Sequence, residues 1–136
     1  MKKNLLKVFM LFLVLNFLFV GCGDSKFHDK YITFEDYYKK MTIDLDYNDP
    51  FNTINSLKED KNLKVLDNMK KIVSEMRILS SNNSDNITYD YALKRYNALE
   101  FLKYAATKSE NKLTDDERSR VVTELTIIEA NKGSDN

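Results

Sequence analysis

Apolar positions along this chain fall into one unbroken run near the start, followed by five stretches at helical spacing. The run extends from Val8 to Val20, interrupted only by Asn16, and follows the basic residues Lys2, Lys3 and Lys7. Beyond it, Phe34, Tyr37, Tyr38, Met41 and Leu45 recur every three or four residues, and Thr33 with Asp36 resembles a capping box, which predicts a helix over 34–45. Asp49 before Pro50 predicts a second helix start, with Phe51, Ile54 and Leu57 on one stripe. Ser56 with Glu59 offers another box, and the pattern leaves open whether residues 50–80 form one helix or two. From Leu63, the positions Leu66, Met69, Ile72, Val73, Met76 and Leu79 give the clearest amphipathic helix. The polar cluster Ser80 to Asn86 reads as an exposed loop, after which Thr88 or Asn86 can cap the next helix. In that helix Ala92, Tyr96, Leu99, Leu102 and Ala106 form one face, with Tyr91, Ala98, Phe101 and Ala105 beside it, so it is expected to lie centrally. Thr114 and Glu117 make the best capping box in the chain, ahead of Val121, Val122, Leu125, Ile127 and Ile128, and Gly133 is the expected stop.

No segment alternates strictly, and one proline and three glycines serve 136 residues. The expected fold is all-α, a small bundle of four to five helices.

The leader follows signal-peptide grammar: a basic start, an apolar run of about 13 residues, then Gly21, Cys22, Gly23 and Asp24. That run is shorter than the ~20 residues a membrane-crossing helix needs. With Gly21 preceding Cys22, the segment resembles a bacterial lipoprotein precursor; Phe19 stands where leucine is commoner, and Val20 and Gly21 match the pattern. The resemblance covers about the first 25 residues. It implies cleavage after Gly21, lipid attachment at Cys22, and an extracytoplasmic domain anchored to a bacterial envelope membrane. The expected organisation is therefore a signal peptide over 1–21, a lipidated tether over 22–32, a helical domain over 33–133 and a frayed end over 134–136.

Composition narrows the function classes. Loss of residues 1–21 removes three lysines, leaving 18 basic against 21 acidic residues, so the mature domain is mildly acidic. That balance argues against nucleic acid as a partner, because phosphate binding rests on clustered Lys and Arg. Cys22 is the single cysteine, which excludes an internal disulfide. The remaining ~115 residues bury roughly 60 to 70% of their unfolded surface, enough for one modest core.

Several constellations are candidates for chemistry. Asp44, Asp46 and Asn48 have the alternate spacing of a calcium loop, yet Asp49 sits where the sharp turn needs glycine and Asn55 where a bidentate glutamate belongs. His28 has Asp24 and Asp29 nearby but on a segment expected to be a tether. Asp115, Asp116 and Glu117 open a helix, where its dipole favours acids. No metal site, cofactor or catalytic set is expected, and the chain reads as a non-enzyme. Aromatic residues concentrate near the tether, and Tyr31, Tyr37, Tyr38 and Tyr47 form the candidate partner surface, with the edge of the core as the competing use of the same residues. The expected function is a lipid-anchored interaction module with a protein partner in the envelope. The alternative is a lipoprotein facing a host or neighbouring cells, and a ligand-binding or enzymatic bundle ranks below both.

Overall fold

A computed structural model describes residues 25–132, which form five α-helices and no strand. The cleavage and lipidation positions Gly21 and Cys22 and the expected stop at Gly133 lie outside the described residues.

Among the described residues helix α1 occupies 25–42. Its buried stripe is Phe27, Phe34, Tyr38 and Met41, continued by Leu45 in the following turn. The expected tether is thus corrected from Ser25 onward: those residues are helical, and the Phe27 ring is 4% exposed. One apolar residue seven places before Phe34 extends the stripe by two turns, and covering an aromatic ring offsets the entropy of ordering the polar residues around it. Thr33 therefore sits inside the helix, where its hydroxyl donates to the Asp29 carbonyl at 2.8 Å rather than capping an end. At the other end the buried Thr42 hydroxyl donates to the Tyr38 carbonyl at 2.9 Å, and the helix stops three residues short of the expected Leu45.

Helix α2, Pro50–Thr53, has proline at its first turn and tightens into a 3-10 segment, Ile54–Lys58, that buries Ile54 and Leu57. Extended backbone at Glu59 (φ −68°, ψ 142°) separates it from α3, Asp60–Leu79, so residues 50–80 form two units. The Ser56–Glu59 box does not form: the Ser56 hydroxyl donates back to the Thr53 carbonyl at 3.0 Å. Leu66, Met69, Ile72, Val73 and Met76 are the buried face of α3, as its periodicity predicts.

The loop expected over 80–86 shrinks to residues 80–82. Asn82 caps α4, Asn83–Thr107, by accepting the Asp85 amide at 2.8 Å, in place of Asn86 or Thr88. The Asp85 carboxylate, itself buried, accepts from the Ser81 amide and hydroxyl, each at 3.1 Å. Polar residues here satisfy a helix start rather than solvate a loop. Helix α4 buries Ala92, Ala98, Leu99, Leu102, Ala105 and Ala106, its alanines permitting close approach of its neighbours, and it packs against α3, α5 and the 3-10 segment. A short 3-10 turn, Glu110–Lys112, leads to α5, Asp115–Lys132. The predicted capping box there is complete: the Thr114 amide donates to Glu117 at 2.9 Å and the Glu117 amide to the Thr114 hydroxyl at 3.2 Å.

Cross-helix pairs set the register. Lys30 meets Glu75 at 2.5 Å and Glu35 meets Arg95 at 2.6 Å, while the Lys132 ammonium donates to the Leu45 carbonyl at 2.8 Å. Helix α1 thus meets α3 at Lys30 and α4 at Glu35, and the turn after it meets the end of α5 at Lys132.

Candidate functional site

Arg95 lies on a flank of α4 between apolar neighbours, with its side chain 13% exposed. A charge held there needs partners, because removing a guanidinium from water is costly. One Nη donates to Glu35 of α1 and the other to the hydroxyl of Tyr91, one turn earlier on α4. The guanidinium carbon also stands 4.6 Å from the centre of the Tyr38 ring and 4.1 Å from that of Tyr91, within cation–π range. Its Nε is buried and has no hydrogen-bond partner. Arg95 is thus clamped between α1 and α4 by one carboxylate, one hydroxyl and two ring faces.

The electrostatics follow from this packing. Burial works against the charged guanidinium, yet Glu35 first, with Tyr91 and Tyr38 after it, together hold Arg95 above its ordinary range. Burial pushes the Tyr38 hydroxyl up to about 12, opposed by the adjacent Arg95. Burial, then the charge of Glu35, raises Tyr31 to about 12 as well. Both phenols stay protonated near neutral pH and serve as hydrogen-bonding and packing groups, not as proton donors.

Two hollows flank the clamp. One, of about 430 Å³, lies between α1 and α5 and is lined by Glu35, Asp36, Lys39, Thr42, Ile43 and Lys132 besides Arg95. The other, of about 400 Å³, lies between α4 and α5, with Tyr91, Lys94, Ala98, Arg120, Glu124 and Ile127 in its wall. Tyr38, Arg95, Ile128 and Asn131 border both, so the two form one face divided by a ridge. Ile43 (61% exposed), Ile127 (51%) and Tyr91 (41%) supply its exposed apolar area. Lys39, Lys94, Arg95, Arg120 and Lys132 outnumber Glu35, Asp36 and Glu124 on this face, the reverse of the balance expected for the mature domain.

Of the tyrosines singled out from sequence, Tyr31 and Tyr38 come together around Arg95. Tyr31 is half-buried and Tyr38, 6% exposed, is part of the core, which corrects its assignment to an open partner surface. The helical spacing of Tyr38 with Phe34 and Met41 points to the competing use, the core, and the structure follows the spacing. Tyr37 is half-buried with the Lys40 ammonium 5.7 Å from its ring centre, Tyr47 is exposed in the turn after α1, and neither lines the two hollows. Sequence reasoning missed Arg95, Glu35 and Tyr91 as a unit; the available signal was an arginine beside the Ala92 and Leu99 face, with tyrosine four residues before it.

The other constellations resolve as local structure. Asp46 accepts from the Asn48 amide at 2.9 Å and from its side-chain amide at 3.0 Å, a turn-closing arrangement, while Asp44 is exposed. His28 is exposed on α1. Among the described residues no group of three His, Cys, Asp or Glu is placed to hold a metal ion, and no helix is long and apolar enough to cross a membrane. Glu117 binds the Lys108 ammonium at 2.9 Å and accepts the Thr114 amide, and these contacts hold its carboxyl down at about 2.

Comparison with known proteins finds no matching family model, no similar curated protein and no similar solved structure.

Proposed function

We propose that this protein is a lipid-anchored interaction module of a bacterial cell envelope, held to the membrane through Cys22 and presenting the Arg95 face to a protein partner. The observation that carries the reading is the leader itself: three lysines, an apolar run too short to span, and Gly21 before the single cysteine. Two or three acyl chains on one residue anchor a soluble domain durably, because each buried methylene adds about 0.8 kcal/mol.

The binding part of the proposal rests on the exposed Tyr91, Ile43 and Ile127 and on the local excess of cations around them. Aromatic and aliphatic anchors beside Lys and Arg suit a partner segment with an apolar side chain flanked by carboxylates. The rigid clamp at Arg95 fixes the shape of that surface in advance, which lowers the ordering cost of association.

The test uses the full-length chain in its native bacterium. Cys22→Ala should move the protein out of the membrane fraction. A photo-reactive amino acid at Tyr91 or Ile127 should give one defined adduct, while the same group at exposed Glu110 should not. Membrane retention of the Cys22→Ala protein counts against the anchor, and identical adducts from all three positions count against the face.

A further inference from the structure

The hollow between α4 and α5 combines buried apolar residues with cations. Tyr38, Ala98 and Ile128 in its lining are buried, and Tyr91 and Ile127 are its exposed apolar walls. At about 400 Å³ it falls within the usual size of small-ligand pockets, about 300 to 1,000 Å³.

Its cations are unequally committed. Arg95 spends its two Nη groups on Glu35 and Tyr91. Arg120 reaches Glu124 only through Nε, at a long 3.4 Å, and its guanidinium carbon stands 3.9 Å from the centre of the Phe101 ring. Neither Nη of Arg120 has a hydrogen-bond partner among the described residues. A guanidinium held against a ring face keeps those donors available for a carboxylate. Lys94 is exposed and forms no ion pair among the described residues. Lys94, Arg95 and Arg120 thus face two carboxylates, Glu35 and Glu124, which leaves one positive charge without a counter-charge.

We infer that this hollow takes the C-terminal residue of a partner polypeptide, its aliphatic or aromatic side chain against Ala98, Ile127 and Ile128 and its main-chain carboxylate paired with Arg120 and Lys94. The inference rests on the reading of the Arg95 face as a protein-binding surface. One compartment has to receive both an apolar body and a single negative charge. A chain-terminal residue carries the two on one Cα, and capture of a terminal carboxylate is an established mode of peptide recognition. In an internal segment the charge and the apolar side chain belong to different residues. Adjacent side chains of an extended chain point to opposite faces, and those that share a face are about 7 Å apart along it. A run of several acids would bring more negative charge than the one uncompensated cation answers, and the surplus would be desolvated without a partner.

The experiment uses the full-length chain, expressed in its bacterium with isotope-labelled isoleucine methyl groups, extracted from the membrane and reconstituted in lipid nanodiscs for NMR titration. The probes are acetyl-Gly-Gly-Leu as the free acid, the same peptide as its C-terminal amide, and acetyl-Gly-Leu-Asp amide, which keeps the leucine and one negative charge but has no terminal carboxylate. Ile127 and Ile128 report on the hollow, while Ile78 and Ile87 line neither hollow and serve as references. The expected result is a shift of the Ile127 and Ile128 methyls by the free acid, with an affinity about tenfold or more above that of the other two peptides. Arg120→Gln and Lys94→Gln, both at exposed positions, should each remove most of that binding, and Lys71→Gln, exposed on α3, should leave it unchanged. Equal affinity for the Asp amide peptide, or binding that survives Arg120→Gln intact, overturns the recognition of a chain terminus. Absence of any shift overturns it as well. The Tyr91 photo-adduct then separates the two readings: a defined adduct leaves the Arg95 face standing as a partner surface, and no adduct takes both down.

Discussion

Glu35 of α1 and Arg95 of α4, 60 residues apart in the chain, share a 2.6 Å ion pair, with side chains 34% and 13% exposed respectively. The pair joins α1 to α4 where Tyr38 and Tyr91 shelter the guanidinium from water. Such a contact contributes more to the placement of α1 than an exposed surface pair would, because loss of one partner strands a desolvated charge.

Removal of Glu35 is therefore expected to destabilise the domain by about 1 to 3 kcal/mol, and Arg95→Met by less, since it removes the charge and keeps apolar volume. The double variant should cost less than the sum of the singles. Urea unfolding checks this through the midpoint, with an unchanged slope; strict additivity would mean that the two residues act independently.

Phe27 distinguishes a helix from a tether. Its ring is buried at 4% exposure, so Phe27→Ala should cost about 3 to 5 kcal/mol, as for other large core truncations. A residue in a loose linker would show a change near zero in the same thermal or urea melt.

The contrast between Phe27 and the later helices shows what the sequence makes legible. The stripe of α3 from Leu66 to Met76 and the Thr114–Glu117 box are local patterns, complete within a few turns, and the structure reproduces both. The start of α1 is not local: Phe27 is a lone apolar residue between Lys26 and His28, and its burial depends on the core assembled from distant segments. The same holds for the polar run at 80–86, where Ser81, Asn82 and Asp85 satisfy one another across a helix start. Arg95 was hidden for a related reason, because its counter-charge lies on another helix and no spacing rule links residue 35 to residue 95. Tyr38 shows the converse: of the two uses open to it, partner surface or core edge, its helical position decides for the core.

Asn82 should matter as a cap. Asn82→Ala is expected to cost about 1 kcal/mol and to raise hydrogen exchange at the Asp85 amide, which it now holds at 2.8 Å. Unchanged exchange at that amide would show that the helix start is set by Ser81 and Asp85 alone.

Glu117 gives an acid dependence of definite sign. Its carboxyl is held at about 2, below its ordinary 4.5, by the hydrogen bond from Lys108 first and by the Thr114 amide after it. The folded state thus prefers the ionised form, so its stabilising contribution is complete above the ordinary value and is lost as pH falls towards about 2. The wild type should lose more stability across that interval than Glu117→Gln, measured by melting temperature against pH. Parallel curves for the two proteins would contradict the assignment.

The account as a whole turns on what is attached to the sulfur of Cys22. Intact mass spectrometry of the protein extracted from its native membrane should find a chain beginning at Cys22 and heavier than its sequence by a diacylglyceryl group, with or without a further acyl chain. A free thiol at that position, or a product that retains residues 1–21, would contradict it.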